Sequence, residues 1–319
     1  MKGELRNKPH PRRAPGDSMI GPESGCLSVV DIARALRLSN PKLSRFDPMS
    51  RIIAFNDFDD GFCGWTQLVG NYENTLDSML PGYAQHTQPQ LSNLANWDSG
   101  THGSFDGNYA LKIQTRPKKG AQNVAIKRLT FREPGPIRLE FYFTFKPEAT
   151  ELRLSETDVR AVGFLYDLQT GFEKGGTRVM PHVRFLNASD GVHLQKWQTK
   201  SRTAAMKPLG TEGKTVTHYH LAPTDWEDLP GGEQKLCYNE IPTKVNWHYV
   251  RYDFDLRTMR AISLRCNDRE WDMSGVDPIV MPAMRNLWCM LNIAFFAEAD
   301  TDKRTLLYVD SVCLSGEFT

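Results

Sequence analysis

The sequence predicts an all-β protein, an antiparallel sandwich with a short helix near the start and long loops, and three observations carry that prediction. Ile137, Leu139, Phe141, Phe143 and Phe145 alternate with Arg138, Glu140, Tyr142 and Thr144, the period-two pattern of a strand with one face in a core and one in water. From Trp247 to Asp272 the pattern recurs as a meander. There His248, Val250, Tyr252, Phe254 and Leu256 oppose Tyr249, Arg251, Asp253 and Asp255; a turn at Arg257-Thr258-Met259 leads to Ile262, Leu264 and Cys266 on one side and Ser263 and Arg265 on the other. Further short strands are separated by turn formers such as Asn187-Ala188-Ser189-Asp190-Gly191, which is the spacing of a sandwich or barrel.

In chain order, residues 1 to about 25 are rich in Pro, Gly and charge and read as a flexible lead. Ser28 can cap a short helix at 29–38, whose Val29, Ile32, Ala33 and Leu36 form one stripe. We divide the chain into this lead, 1–50, and a sandwich domain, 51–319. Residues 71–103 lack periodicity but hold Tyr72, Tyr83, His86, Trp97 and His102, and loops of that length are functional or disordered. Strands follow at 108–114, 124–127, 137–145, 159–166, 178–186 and 192–198. A second loop region, 199–240, is punctuated by Gly210, Gly213, Pro223, Pro230, Gly231 and Gly232. After the meander, 288–296 and 306–314 are apolar on both faces and read as central strands.

With 319 residues, 40% of them hydrophobic, the chain has ample material for one large core. A formal net charge of +1 gives no electrostatic case for nucleic acid or an anionic membrane. No apolar run reaches the roughly 18 residues of a membrane span. Basic residues open the chain without a following apolar stretch, so a cytoplasmic location is expected. The six cysteines show no CxxC spacing and read as reduced thiols unless the chain is exported.

Three segments give the sequence a family resemblance: Phe55-Asn56-Asp57-Phe58-Asp59-Asp60-Gly61 with Gly64-Trp65, the strand Trp247 to Asp255 with its Asn267-Asp268-Arg269 turn, and Leu307-Tyr308-Val309-Asp310-Ser311-Val312. Together they resemble the concanavalin A-like lectin, glucanase and laminin-G jelly-roll superfamily. The chain is also similar to bacterial proteins of that architecture. The resemblance implies a jelly-roll over 51–319 whose last strand pairs with its first. It does not imply one activity, because the superfamily includes lectins, glycanases and lyases. The Glu-x-Asp-x-x-Glu strand of the laminarinase-type hydrolases and the Gln-Ile-His pattern of alginate lyases are both missing from the sequence.

Candidate sites fall into three groups. Asp57, Asp59 and Asp60, with Asp106 and with Asp310 brought alongside by the implied fold, could supply the oxygens of a structural Ca2+; the alternative is that they cap turns and pair with arginines. His218 and His220 flank Tyr219, and on a strand both would face one side and ligate a divalent transition metal, completed by a carboxylate, His182 or His193; the alternative is two loop histidines. Trp197, Trp97, Arg178, Arg184, Tyr249 and Arg251 are the candidate ligand-binding residues, since aromatic faces stack on sugar C–H faces while charged forks fix hydroxyls. Arg178, His182 and Arg184 share one face of their strand, as do Tyr249, Arg251 and Asp253. For acid–base work His182, His218, His220, Glu140 and Asp253 are the candidates. His248 lies on the core side.

The expected function is carbohydrate or glycoside recognition on the concave sheet. The alternatives are a metal-assisted glycoside hydrolase or lyase in the same groove, and a non-catalytic structural subunit. The N-terminal segment is the candidate contact for a homo-oligomer.

Overall fold

A computed structural model describes residues 35–36, 38–68, 71–72, 88–92, 104–131, 133–148, 155–169, 176–203, 211–212, 215–237, 246–284 and 287–318. Two antiparallel sheets stack face to face. The eight-stranded sheet runs, edge to edge, Arg269–Asp272, Arg260–Cys266, His248–Asp255, Pro136–Pro147, Thr305–Gly316, Ala110–Gln114 and Gln90–Ser92, with Arg51–Asn56 also paired to Thr305–Gly316. The nine-stranded sheet runs Glu227–Glu233, Val192–Lys200, His182–Ser189, Val159–Gln169, Met290–Ala299, Gln122–Lys127 and Trp65–Gln67. Thr177–Met180 continues it beside Val159–Gln169, and Ile279–Pro282 pairs with Thr177–Met180. Together the two sheets form an antiparallel sandwich of the jelly-roll kind. As the resemblance implied, first and last strands pair, Asn56 opposite Val312.

Alternation along the strands builds the core. Ile137, Leu139, Phe141, Phe143 and Phe145 point inward beside Val250, Tyr252 and Phe254, against Val162, Phe164, Tyr166, Phe185 and Phe295 of the facing sheet. The Phe141 ring meets Phe164 and Phe295 edge-on at 5.3 and 4.8 Å. Each such side chain contributes about 1.5–3 kcal/mol on burial, so this aromatic layer joins the two sheets.

Several expectations are corrected. Ile262 is exposed, not in the core: the register shifts between Asp253 and Phe254, so Ala261 and Leu264 turn inward and Ile262 is the extra residue of a bulge. The 199–240 region is not all loop, because Glu227–Glu233 forms an edge strand on Val192–Lys200; an edge tolerates Pro230. Residues just before 51 pack on the sandwich. Leu43 and Phe46 pack with Cys313 on the outer face of the eight-stranded sheet, and the Asp47 N–H donates to Glu140 Oε1 at 2.9 Å. The helix expected at 29–38 lies largely outside the described residues. Among those described, no helix is long and apolar enough to cross a membrane.

Candidate functional site

The residues between the core positions of the nine-stranded sheet form its outer face. Across neighbouring strands they run His182, Leu165, Ala294 and Ile126 in one row, Arg184, Gly163, Phe296 and Val124 in the next, and Asp167 opposite Asn292 beyond the first. The segment Tyr219–Trp226 covers the middle of this face. Leu221 packs with Val124, Ile126, Leu165, Ala294 and Phe296. The Trp226 ring lies over the Arg184 guanidinium, 4.2 Å from its centroid, and Lys200 Nζ donates to the Ala222 carbonyl at 2.6 Å. Arg184 in turn donates from Nε to Gln198 Oε1 and from Nη1 to Glu298 Oε2, both at 2.9 Å.

His182 and His220 meet beneath this cover, Nε2 to Nδ1, at 3.1 Å. His182 Nδ1 is 2.9 Å from the Met180 carbonyl, which can only accept, so it carries a proton. Burial first, then the Lys200 cation, push His182 down to about 3. The neutral ring therefore uses Nε2 as an acceptor, and His220 Nδ1–H is the donor. The pair is a hydrogen-bonded support for the covering segment.

Beyond the covered rows the face opens into a groove of about 420 Å3. Its floor holds Asp167, Arg178 and Asn292, each buried. Arg178 donates from Nε and Nη2 to the two Asp167 oxygens at 2.5 and 2.7 Å, and Asn292 Nδ2 approaches Asp167 Oδ2 at 3.4 Å. Arg178 Nη1 is buried without a hydrogen-bond partner. The walls are Leu68, Ile126, Leu129, Met284 and Met290, with Arg128, Leu287 and Trp288 at the sides. Trp288 is 66% exposed. Gln169 fixes the wall that bears it: its Oε1 accepts from the Met284 N–H at 2.8 Å, and its Nε2 donates to the carbonyls of Met284 and Leu287. Cys289, with φ of 53°, turns the chain into the strand that carries Asn292. The groove thus sets an accessible aromatic ring beside a buried charged fork.

The sequence signature of DUF6772, a domain of unknown function, matches residues 33–318. The chain belongs to this family. No curated protein matches it. Solved structures similar to it include the Emp47p carbohydrate recognition domain (9% identity, TM-score 0.32, 72% of this chain and 88% of that chain). Lectin UEA-II complexed with galactose is similar at 7% identity and TM-score 0.36, over 72% of this chain and 93% of that chain. An alginate lyase Aly36B mutant in complex with alginate tetrasaccharide is similar at 14% identity and TM-score 0.36, over 72% and 97% respectively.

In this DUF6772 member the residues singled out from sequence fall in four places. Arg178 lies in the groove; His182 and Arg184 share its sheet face, under the Tyr219–Trp226 cover. Trp197 does not reach that face. It stands opposite Phe185, both pointing into the core, and Trp197 Nε1 donates to Gln234 Oε1 at 2.8 Å; Gln195, with φ of 49°, breaks the alternation that would have turned it outward. Tyr249, Arg251, Asp253 and Glu140 occupy the outer face of the other sheet, beneath residues 43–47. There Arg138 donates to both Asp253 oxygens at 2.8 and 2.9 Å, Arg251 Nη2 pairs with Glu270 at 2.5 Å, and the Tyr249 hydroxyl donates to Glu140 Oε1 at 2.5 Å. Arg184 and Tyr249 therefore cannot share one concave surface. Trp97 lies outside the described residues.

The metal candidates are engaged otherwise. Asp59 Oδ1 accepts the N–H groups of Asn108 and Tyr109 at 2.6 and 3.2 Å, and Asp310 Oδ2 those of Phe105 and Asp106 at 2.7 and 3.0 Å. Between them they clamp one loop. At its tip Gly107, with φ of 74°, leaves room that a Cβ would close, 2.0 Å from Asp59 Oδ2. Asp57 pairs with Lys42, and Asp106 with Arg45; Asp60 is exposed. Burial pushes Asp310 up to about 7 against the pull of its N–H donors. His218 ends the strand Thr215–His218, while His220 belongs to the 3-10 turn Tyr219–Leu221, so the two do not alternate on one strand. Among the described residues no group of three or more His, Cys, Asp or Glu is placed to hold a metal ion.

Asp167, Asn292, Arg128 and Trp288, which line the groove, and Gln169, which fixes its wall, were missed by the sequence reading. Asn292 had a signal: it falls in the outward set of its strand. Trp288 had none.

Proposed function

We propose that the chain recognises a carbohydrate in the groove beside Trp288. One observation carries the reading: an exposed indole and a buried Arg178–Asp167 pair with Asn292 line the same opening. A sugar offers an apolar C–H face and a ring of hydroxyls, and these are the two surfaces that such a groove answers. Its volume of about 420 Å3 falls within the roughly 300–1,000 Å3 usual for small-ligand sites. Asp167 is the single acid among the described residues that line it, whereas glycoside hydrolysis ordinarily uses two carboxyl groups, so binding is favoured over hydrolysis. Isothermal titration with a panel of glycosides tests it. Binding is expected for at least one glycoside and should weaken about tenfold in Trp288→Ala, the scale of one lost aromatic contact; saturable binding unchanged in that variant would place the site elsewhere.

A further inference from the structure

The charge in the groove narrows the ligand. Two guanidinium groups line it, Arg128 and Arg178, against one carboxylate, Asp167. Asp167 is engaged on both oxygens by Arg178 Nε and Nη2, which leaves Arg178 Nη1, buried and without an acceptor. Arg128 is exposed and donates from Nη1 to Thr66 Oγ1 at 3.1 Å; among the described residues no carboxylate pairs with it. A neutral hydroxyl could accept from Nη1, but it would gain little from the charge of Arg128 at the same opening. An anionic acceptor satisfies both requirements, and a planar carboxylate matches the in-plane donors of a guanidinium.

We infer that the groove selects an acidic sugar, a hexuronate whose carboxylate is taken by Arg178 and Arg128 while its ring lies against Trp288. The inference rests on the carbohydrate reading above and adds the charge of the ligand to it. Arg128 supplies the part of the attraction that salt screens, because it is exposed. Arg178 supplies the fixed part, and its orientation is set by Asp167.

The test is isothermal titration of the full chain with matched pairs of methyl hexuronides and methyl hexosides of the gluco, galacto and manno series, and with a 6-sulfated hexoside. The best uronide should bind at least about tenfold more tightly than its neutral counterpart, the scale of one charge-assisted hydrogen bond. Arg128→Gln should cut that preference several-fold and leave the unfolding temperature where it was. Arg178→Gln strands Asp167 and can cost folding, so the Arg128 variant decides. Equal affinity for the two members of a pair overturns the inference and leaves the carbohydrate reading standing. A sulfated hexoside that binds more tightly than any uronide overturns the carboxylate assignment, and a preference intact in Arg128→Gln overturns the role of Arg128. No binding of any sugar removes the carbohydrate reading itself, and this inference with it.

Discussion

Arg184 reaches Glu298 across the strand that separates them, Nη1 to Oε2 at 2.9 Å, and it can do so because that strand carries Gly163 at the crossing, opposite both Arg184 and Phe296. A Cβ at residue 163 would sit 2.4 Å from Phe296 Cζ, 2.5 Å from the Val183 carbonyl and 2.8 Å from Arg184 Cβ. The Val183 carbonyl is part of the sheet and cannot give way as a flexible side-chain end could.

Gly163→Ala is therefore expected to destabilise the fold by about 1–3 kcal/mol, the usual cost of an overpacked position. Urea unfolding measures it. The strain falls under Trp226, so protection of the backbone amides of 220–226 from hydrogen exchange should drop as well. An unchanged urea midpoint would mean that the two flanking strands part freely, which the Arg184–Glu298 bond argues against.

The buried His182 gives a pH dependence of known sign. Its native pKa is pushed down to about 3 by burial and by Lys200, while the unfolded ring titrates near 6.5. Between those values the unfolded chain takes a proton that the native one refuses. Stability from this group is thus complete above about pH 6.5 and is lost as pH falls, by at most about 1.4 kcal/mol per unit. Asp310 runs the other way. With a native pKa of about 7, it keeps its proton while the unfolded carboxyl has already ionised, so its contribution is lost as pH rises from about 4 to about 7. In denaturation from pH 4 to 8, the stability gap between wild type and His182→Gln should narrow toward acid, and the gap between wild type and Asp310→Asn should narrow toward neutral pH. Parallel curves for either variant would refute that group's assignment.

The sandwich was legible because alternation reports burial directly: the core faces of Ile137–Phe145 and His248–Phe254 are the ones the sequence indicates. Arg178, His182 and Arg184 were likewise placed on one face, and they share it. Which sheet a polar face belongs to is a different matter. Alternation around Tyr249 and around Arg184 looks the same, although the two stand on opposite sides of the molecule, because a sheet assignment depends on pairing between distant strands and not on local period. Trp197 was misread where Gln195, at φ of 49°, breaks the period. Trp288 was hidden for a related reason: it precedes an apolar strand and shares its composition, yet the strand starts at Met290, after the kink at Cys289. The 420 Å3 groove itself arises where Gln169 draws Met284 and Leu287 against the sheet, a contact spanning 115 residues or more of sequence.

The separation of the two faces gives a last prediction. Tyr249 donates to Glu140 Oε1, as does the Asp47 N–H, and burial raises the Glu140 pKa despite both donors. Tyr249→Phe takes away one donor and raises that pKa further. Stability should fall by about 1–3 kcal/mol, the cost of a buried acceptor left short of a partner. Residues 43–47, which pack on this face through Leu43 and Phe46, should loosen, read as faster proteolysis or hydrogen exchange there. Glycoside affinity should stay unchanged, because the groove lies on the far sheet and shares no residue with this network. Were Tyr249→Phe to remain folded and lose binding, the ligand would have to sit on the eight-stranded sheet, and Arg251 and Asp253 would replace Arg178 and Asp167 as its contacts.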